Sequence, residues 1–337
     1  MFRRLLAALL LIVLAATVLV LSWPQLFWLQ RVAGIAQLAS FRGAAALGAA
    51  ALLVVLLVLA TASRRFRRLG LSISALALVF ILLNAAVLTS RGFGGNALPA
   101  RAATDVTVVA WNTLGGAPGP DVIATLAIDS DADIVALPET TEATAKAVAE
   151  RMSAAGLPMV SHTVAHGHVS PARSTSVLIS TTLGTYHLDE AAGSTSTLPS
   201  LVMVPDSGTG PRIVAAHPVA PLPSELKNWN GDLHWLAGAC PSGNVILAGD
   251  FNATLDHLAG LGTAPGMTVG ACADSALRAN SAAVGTWPTG IPALLGAPID
   301  HVMTTKNWRV LGMRVVQNLD SAGSDHRPIV VRLRPAF

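Results

Sequence analysis

The chain has 337 residues, 52% of them hydrophobic and only 12% charged, a balance too apolar for an ordinary soluble enzyme. All 19 acids lie at or after Asp105, whereas nine of the 22 basic residues precede Arg101. The later part therefore carries 13 − 19 = −6 beneath an overall charge of +3, which makes it a poor general trap for long duplex nucleic acid unless bound metal offsets the charge.

Three apolar stretches come first, at about residues 5–21, 44–62 and 69–88, each near the roughly 20 residues needed to cross a bilayer. Read alone, the first, behind Arg3 and Arg4, also fits a cleavable signal peptide; the two further spans favour an anchor. Arg3 and Arg4 flank span one, and Arg64, Arg65, Arg67 and Arg68 fill the short link between spans two and three. Keeping both groups cytoplasmic predicts three crossings with the N-terminus inside and the C-terminus outside. The loop from Ser22 to Arg42 then lies outside, with Trp23, Phe27 and Trp28 suited to the interface; Arg31 and Arg42 weaken the bias without reversing it. Asn84 is the one conspicuous polar residue in the spans, so an ion path is not evident. The glycines of Ser90–Asn96 predict a flexible tether. The organisation expected is a membrane anchor over 1–90, a linker over 91–104 and a catalytic domain over 105–337.

In that last part, strand-like and helix-like runs alternate. Val106–Ala110 and Ile134–Leu137 predict buried strands, and Asp121–Ile128 and Thr140–Met152 predict helices. Later strands are expected at Ser176–Ser180, Leu201–Val204, Ile213–Ala216, Val245–Ala248, His301–Thr304 and Ile329–Leu333. This is the pattern of a layered α/β domain. Cys240 and Cys272 leave two readings open, a disulfide in an oxidising compartment or two buried thiols.

The polar residues fall where apolar strands stop. Ala110 leads through Trp111 to Asn112, Leu137 through Pro138 to Glu139, Ala216 to His217, and Ala248 to Gly249-Asp250-Phe251-Asn252. Near the end stand Asp300-His301 and Ser324-Asp325-His326-Arg327-Pro328. Strand ends are where sites gather in α/β sheets. Glu139, Asp250 and Asp325 are hard oxygen donors suited to Mg²⁺ or Mn²⁺. Asn112 and Asn252 add neutral groups, Asn112 as a metal ligand beside Glu139 and Asp325, or both as hydrogen-bond donors that face a phosphate without adding negative charge. His326 can move a proton near neutral pH, and Asp300 can fix its orientation. Taken singly, each motif has a plainer reading as a turn or a cap. His162, His166 and His168 form a weak metal-like cluster, and His187, His234 and His257 read as structural or surface residues.

The ordered set resembles the endonuclease/exonuclease/phosphatase superfamily, the DNase-I-like fold, over about Asp105 to Leu333. The matching blocks are Val108–Leu114, Asp133–Glu139, Gly249–Asn252, Thr286–Pro288, Ile299–Val302 and Ser324–Pro328. The resemblance implies a four-layer α/β sandwich. It implies Glu139 as metal ligand with Asn112 and Asp325 close by, Asp250 aligning the attacking water, and Asn252 holding the phosphate. It also implies His326 as the proton-transfer group oriented by Asp300, and His217 aimed at the phosphoryl oxygens. Pro138 stands where many members have Gln, and His301 where an aromatic residue is often found; both leave the ligands in place.

The function expected is thus a membrane-anchored, extracytoplasmic, divalent-metal-dependent phosphoester hydrolase, with a lean toward phospholipid or cell-envelope phosphoesters. The alternatives are an endonuclease or exonuclease on DNA or RNA at the secreted face, and an inactive binding module on the same fold. The partners expected are the lipid bilayer and a phosphoester substrate; a stable nucleic-acid complex is not expected.

Overall fold

The computed structural model describes residues 2–95, 98–167 and 170–336. Leu- and Ala-rich sequence favours helix, and it forms α1 (Phe2–Ser22), α3 (Arg42–Ala62) and α4 (Arg67–Arg91), with the short α2 (Ile35–Ser40) between the first two. The three long helices have the length and apolarity to cross a membrane. Helix α1 stops where Trp23 precedes Pro24, which disfavours helical backbone at Trp23. Helix α4 packs on both α3 and α1.

The 22–42 loop is ordered against the catalytic part. It holds a 3₁₀ turn at Pro24–Phe27 and then α2. Trp23, Phe27 and Trp28 remain exposed, as an interfacial role requires. Arg31 donates to the His257 carbonyl at 2.9 Å. Arg42 grips Asp256 through two nitrogens, at 2.7 and 2.8 Å, and donates to Asn84 Oδ1 at 2.8 Å and to the Ser22 carbonyl at 3.2 Å. Arg91 adds a bond to Asp256 at 2.8 Å. The two arginines that weaken the charge bias in the sequence, and Asn84 within a span, are thus accounted for by partners inside the protein. The expected flexible tether is pinned at its start. Ala282 and Ala283 donate to the carbonyls of Arg91 and Gly92, and Gly94 donates to Asn280, which satisfies backbone groups that a free linker would leave to water. Asn96 and Ala97 of that stretch lie outside the described residues.

The catalytic part runs β1 (Val106–Ala110), α5 (Gly119–Asp129), β2 (Ile134–Pro138), α6 (Glu142–Ala154), β3 (Met159–Ala165), β4 (Ser174–Ser180), β5 (Tyr186–Leu188), β6 (Leu201–Pro205), β7 (Arg212–Ala216), α7 (Leu226–Ala239), β8 (Val245–Asp250), α8 (Leu255–Leu258), β9 (Leu261–Gly262), β10 (Val269–Gly270), β11 (Ala273–Asp274), α9 (Ser275–Arg278), β12 (Asp300–Thr304), β13 (Trp308–Val315) and β14 (Ile329–Pro335). Two six-stranded sheets have the orders β13-β14-β1-β2-β4-β3 and β11-β12-β8-β7-β6-β5; β9 and β10 form a separate pair.

Side chains alternate across a strand, and this divides the core into layers. Val108, Ala110, Ile134, Ala136 and Val177 of the first sheet meet Met203, Ile213, Ile246, Ala248 and Val302 of the second. On the outer face of the first sheet, Val109, Val135 and Leu178 pack under Ile123 of α5 and Val148 of α6. On the outer face of the second, Val214, Leu247 and Met303 pack under Trp229 and Leu233 of α7. The result is helix, sheet, sheet, helix, the four-layer α/β sandwich expected. The expected strands are present. Of the unforeseen strands, β3, β5 and β13 lie at sheet edges, where partial exposure breaks the apolar run, and β9, β10 and β11 are only two residues long. Cys240, after α7, and Cys272, before β11, are joined in a disulfide.

Candidate active site

The topology gathers the chemistry at one rim. Strands β1 and β2 are parallel, as are β7 and β8, so Asn112, Glu139, His217 and Asp250 all sit at or just beyond C-terminal strand ends. Antiparallel partners then deliver their starting ends to the same rim. Asp300 at the head of β12 lies opposite Asp250, and Ile329 at the head of β14 lies opposite Ala110, which brings His326 alongside Asn112. Gly249 lets β8 approach β7 here, since a Cβ at that position would collide with the Ala216 carbonyl.

His326 is buried, with Nδ1 2.9 Å from Asp300 Oδ2 and Nε2 3.7 Å from Asp250 Oδ2. Burial alone would remove its charge, but Asp300 and Asp250 reverse that effect and hold its imidazolium well above the ordinary histidine range. Burial pushes the Asp250 carboxyl upward. Asn112 donates from Nδ2 to Glu139 Oε1 at 3.1 Å and to Asp250 Oδ2 at 3.0 Å, while its Oδ1 accepts from the Leu114 N–H at 3.0 Å. Asn112 thus ties the two carboxylates together through its NH2 group, while its oxygen is turned to the backbone. Asn252 donates from its backbone to Asp250 Oδ1 at 2.8 Å, and its Nδ2 reaches the Pro218 carbonyl at 3.0 Å.

Glu139 follows Pro138 with a positive φ of 55°. Thr113 holds it there by donating to its carbonyl at 3.0 Å. Burial raises its pKa; Asn112 and the His326 charge oppose the rise, and Asp325 adds to it. Asp325 accepts from Trp287 Nε1 at 2.8 Å through Oδ2, and its buried Oδ1 has no partner. His217 lies fully buried with Nδ1 3.1 Å from Thr175 Oγ1 and Nε2 3.9 Å from Glu139, and that Nε2 has no hydrogen-bond partner. Burial first, then the His326 charge, pushes His217 down to about 3, so it is neutral at physiological pH.

All the candidate residues, Asn112, Glu139, His217, Asp250, Asn252, Asp300, Asp325 and His326, thus converge. Asp250, Asp300 and His326 present ligand-capable atoms within 4.8 Å of one another. Unpartnered carboxylate and imidazole atoms beside oxygen donors fit a hard divalent cation. Elsewhere, His301 is tied to Asp274 at 2.8 Å and to the Ala253 carbonyl at 2.9 Å, away from the chemistry. His162 lies within β3; His168 lies outside the described residues. Sequence reasoning assigned no role to Thr175 or Trp287, because their partners lie 42 and 38 residues away. A pocket of about 360 Å³ opens on the site, and its lining includes Gln37, Ser40 and Phe41 from the membrane anchor.

Residues 109–326 match the model of the endonuclease/exonuclease/phosphatase family. The chain belongs to this family. An endonuclease/exonuclease/phosphatase from Beutenbergia cavernae DSM 12333 is 22% identical over 69% of this chain and 72% of its own, with a TM-score of 0.49. TDP2 of D. rerio, humanized by 14 mutations, is 14% identical over 69% of this chain and 100% of its own, with a TM-score of 0.53. D. rerio TDP2 complexed with a single-strand DNA product is 15% identical over 68% and 99%, with a TM-score of 0.51. These likenesses are to the fold. No curated protein matches. As a family member with this rim of acids, amides and histidines, the chain is a phosphoester hydrolase of the endonuclease/exonuclease/phosphatase type, a family that is typically divalent-metal dependent.

Proposed function

We propose that this protein is a membrane-anchored hydrolase that cleaves an amphiphilic phosphoester, a phospholipid or cell-envelope precursor, at the outer face of the membrane. One observation carries the reading. The pocket lined by Glu139, Asp250, Asn252 and His326 is also lined by the apolar side chains of Phe41, Leu198, Leu222 and Ile299. A phosphate-binding rim beside an apolar wall suits a substrate with a charged head and an apolar body.

Glu139 and Asp325 are the residues assigned to Mg²⁺ or Mn²⁺, which would supply positive charge to the phosphoryl oxygens. Asn112 and Asn252, whose side-chain amides here bond Asp250, are assigned to the phosphate, and neutral His217, its buried Nε2 without a hydrogen-bond partner, is assigned to the phosphoryl oxygens. Asp250 orients the attacking water. His326, charged between Asp300 and Asp250, stabilises the developing negative charge and gives its proton to the leaving oxygen. This changes one expectation from sequence, in which His326 takes the proton of water. Its acidic surroundings favour the protonated ring, which leaves Asp250 as the acceptor.

The outward orientation is supported by the arginines of the 63–66 turn and the start of α4, and by the disulfide, a bond that persists in oxidising compartments. The test is turnover by the purified full chain, with Mg²⁺, of mixed phosphatidylinositol and sphingomyelin micelles against duplex DNA. Lipid turnover falling about 100- to 10,000-fold in Glu139→Ala and His326→Ala is expected. Efficient DNA nicking without lipid turnover overturns the substrate class, and full activity in both variants overturns the mechanism.

A further inference from the structure

The apolar wall is not supplied by the catalytic part alone. Gln37 and Ser40 of α2 and Phe41, the residue just before α3 begins, line the same pocket as Glu139 and His326. Phe41 packs its ring on Trp287 at a centroid distance of 5.7 Å, and Trp287 in turn holds Asp325.

The segment is fastened on both sides. Before it, His257 Nε2 bonds the Ala36 carbonyl at 2.9 Å, and the Gln37 amide donates to the Pro221 carbonyl. After it, Arg42 makes the buried two-point pair with Asp256. Gly43 then passes so close to Leu294 that a Cβ would strike its carbonyl. Phe41 cannot swing away without breaking these contacts, so it is a fixed part of the pocket. It also adjoins a helix long and apolar enough to span the membrane. The pocket is therefore within reach of a molecule whose apolar end stays in the bilayer.

We propose that Phe41, with Ser40 beside it, determines substrate specificity. It packs against the alkyl portion of an amphiphilic phosphoester while the phosphate sits between Glu139, Asn252 and His326. The membrane anchor thus contributes part of the substrate site as well as a tether. This inference rests on the amphiphile reading above and adds the residues that read the apolar end.

The test uses the full chain in detergent micelles with Mg²⁺ and three p-nitrophenyl phosphodiesters that share a leaving group: the hexadecyl, methyl and thymidine esters. The wild type is expected to favour the hexadecyl ester. Phe41→Ala is expected to lower the hexadecyl-to-methyl ratio of kcat/KM by about tenfold, mainly through KM, the size of a lost aromatic contact in an apolar pocket. Ser40→Phe, which fills the pocket from the same wall without removing a packed ring, is expected to lower that ratio too, and it decides the matter should Phe41→Ala yield no folded protein. A wild-type preference that survives in both variants overturns this inference and leaves the amphiphile reading standing. A wild type without hexadecyl preference overturns the amphiphile reading itself. Loss confined to the thymidine ester overturns the inference in favour of a wall that stacks a base.

Discussion

At the residue scale, the site combines committed and uncommitted atoms. Glu139 and Asn252 hold left-handed backbone, with φ of 55° and 46°, where side-chain-bearing residues are uncommon. Such strain persists only where surrounding bonds over-determine it, as Thr113 does for Glu139. His326 has one nitrogen bonded to Asp300, so its other nitrogen faces Asp250 and the pocket. Among the charges acting on His326, Asp300 is the foremost that raises its pKa. The protonated ring is the active form proposed here, so activity is present below its folded pKa and lost as pH rises through it. Asp300→Asn removes a charge that favours protonation. Its alkaline limb of kcat against pH is therefore expected to move to lower pH, with kcat at the optimum down about 100-fold. An unmoved limb removes Asp300 from the role of positioning and charging His326. Both residues were legible from their order in the chain, because Ile-Asp and Ser-Asp-His-Arg-Pro are local patterns. The Thr175 and Trp287 contacts were not, because each depends on which strands become neighbours.

At the scale of elements, the joint between anchor and catalytic part depends on the four-residue helix α8. It places Asp256 where α3 and α4 each bring an arginine, and His257 where α2 brings a carbonyl. Burial opposes the charge of Asp256, but Arg42 and Arg91 outweigh it and hold its carboxyl well below the ordinary carboxylate range. His257 is neutral in this joint. Its Nδ1 accepts from the Thr254 N–H at 2.9 Å, leaving Nε2 to donate to Ala36, and burial pushes its pKa down to about 4. Removing one partner of a buried ion pair costs about 3–5 kcal/mol, because the others stay buried and unpaired. Asp256→Ala is accordingly expected to lower the Tm in detergent and expose the 90–95 segment to protease. An unchanged Tm and digestion pattern shows that the joint does not depend on this pair. None of this joint is readable from Asp256 itself, since its partners are 214 and 165 residues away in sequence.

At the scale of the whole molecule, the disulfide closes a sequence separation of 32 and contributes about 3–4 kcal/mol by the loop-entropy account. An alkaline phosphatase reporter fused after Ala336 is expected to be active, because the orientation proposed above puts the catalytic part outside. Activity instead from a cytoplasm-specific reporter at that point reverses the orientation. The family resemblance implied the four layers, and the sequence by itself determined the layered α/β class, the three apolar helices and the acids and histidines at strand ends. Each of these is carried by a local signal: an unbroken apolar run, a period of two, or a polar residue where a strand stops. Only the tertiary structure decided that the loop at 22–42 docks, that the tether is pinned at its start, that Cys240 and Cys272 pair, and that Phe41 enters the catalytic pocket. These depend on surfaces brought together from distant parts of the chain, and no short window of sequence contains both sides of such a contact.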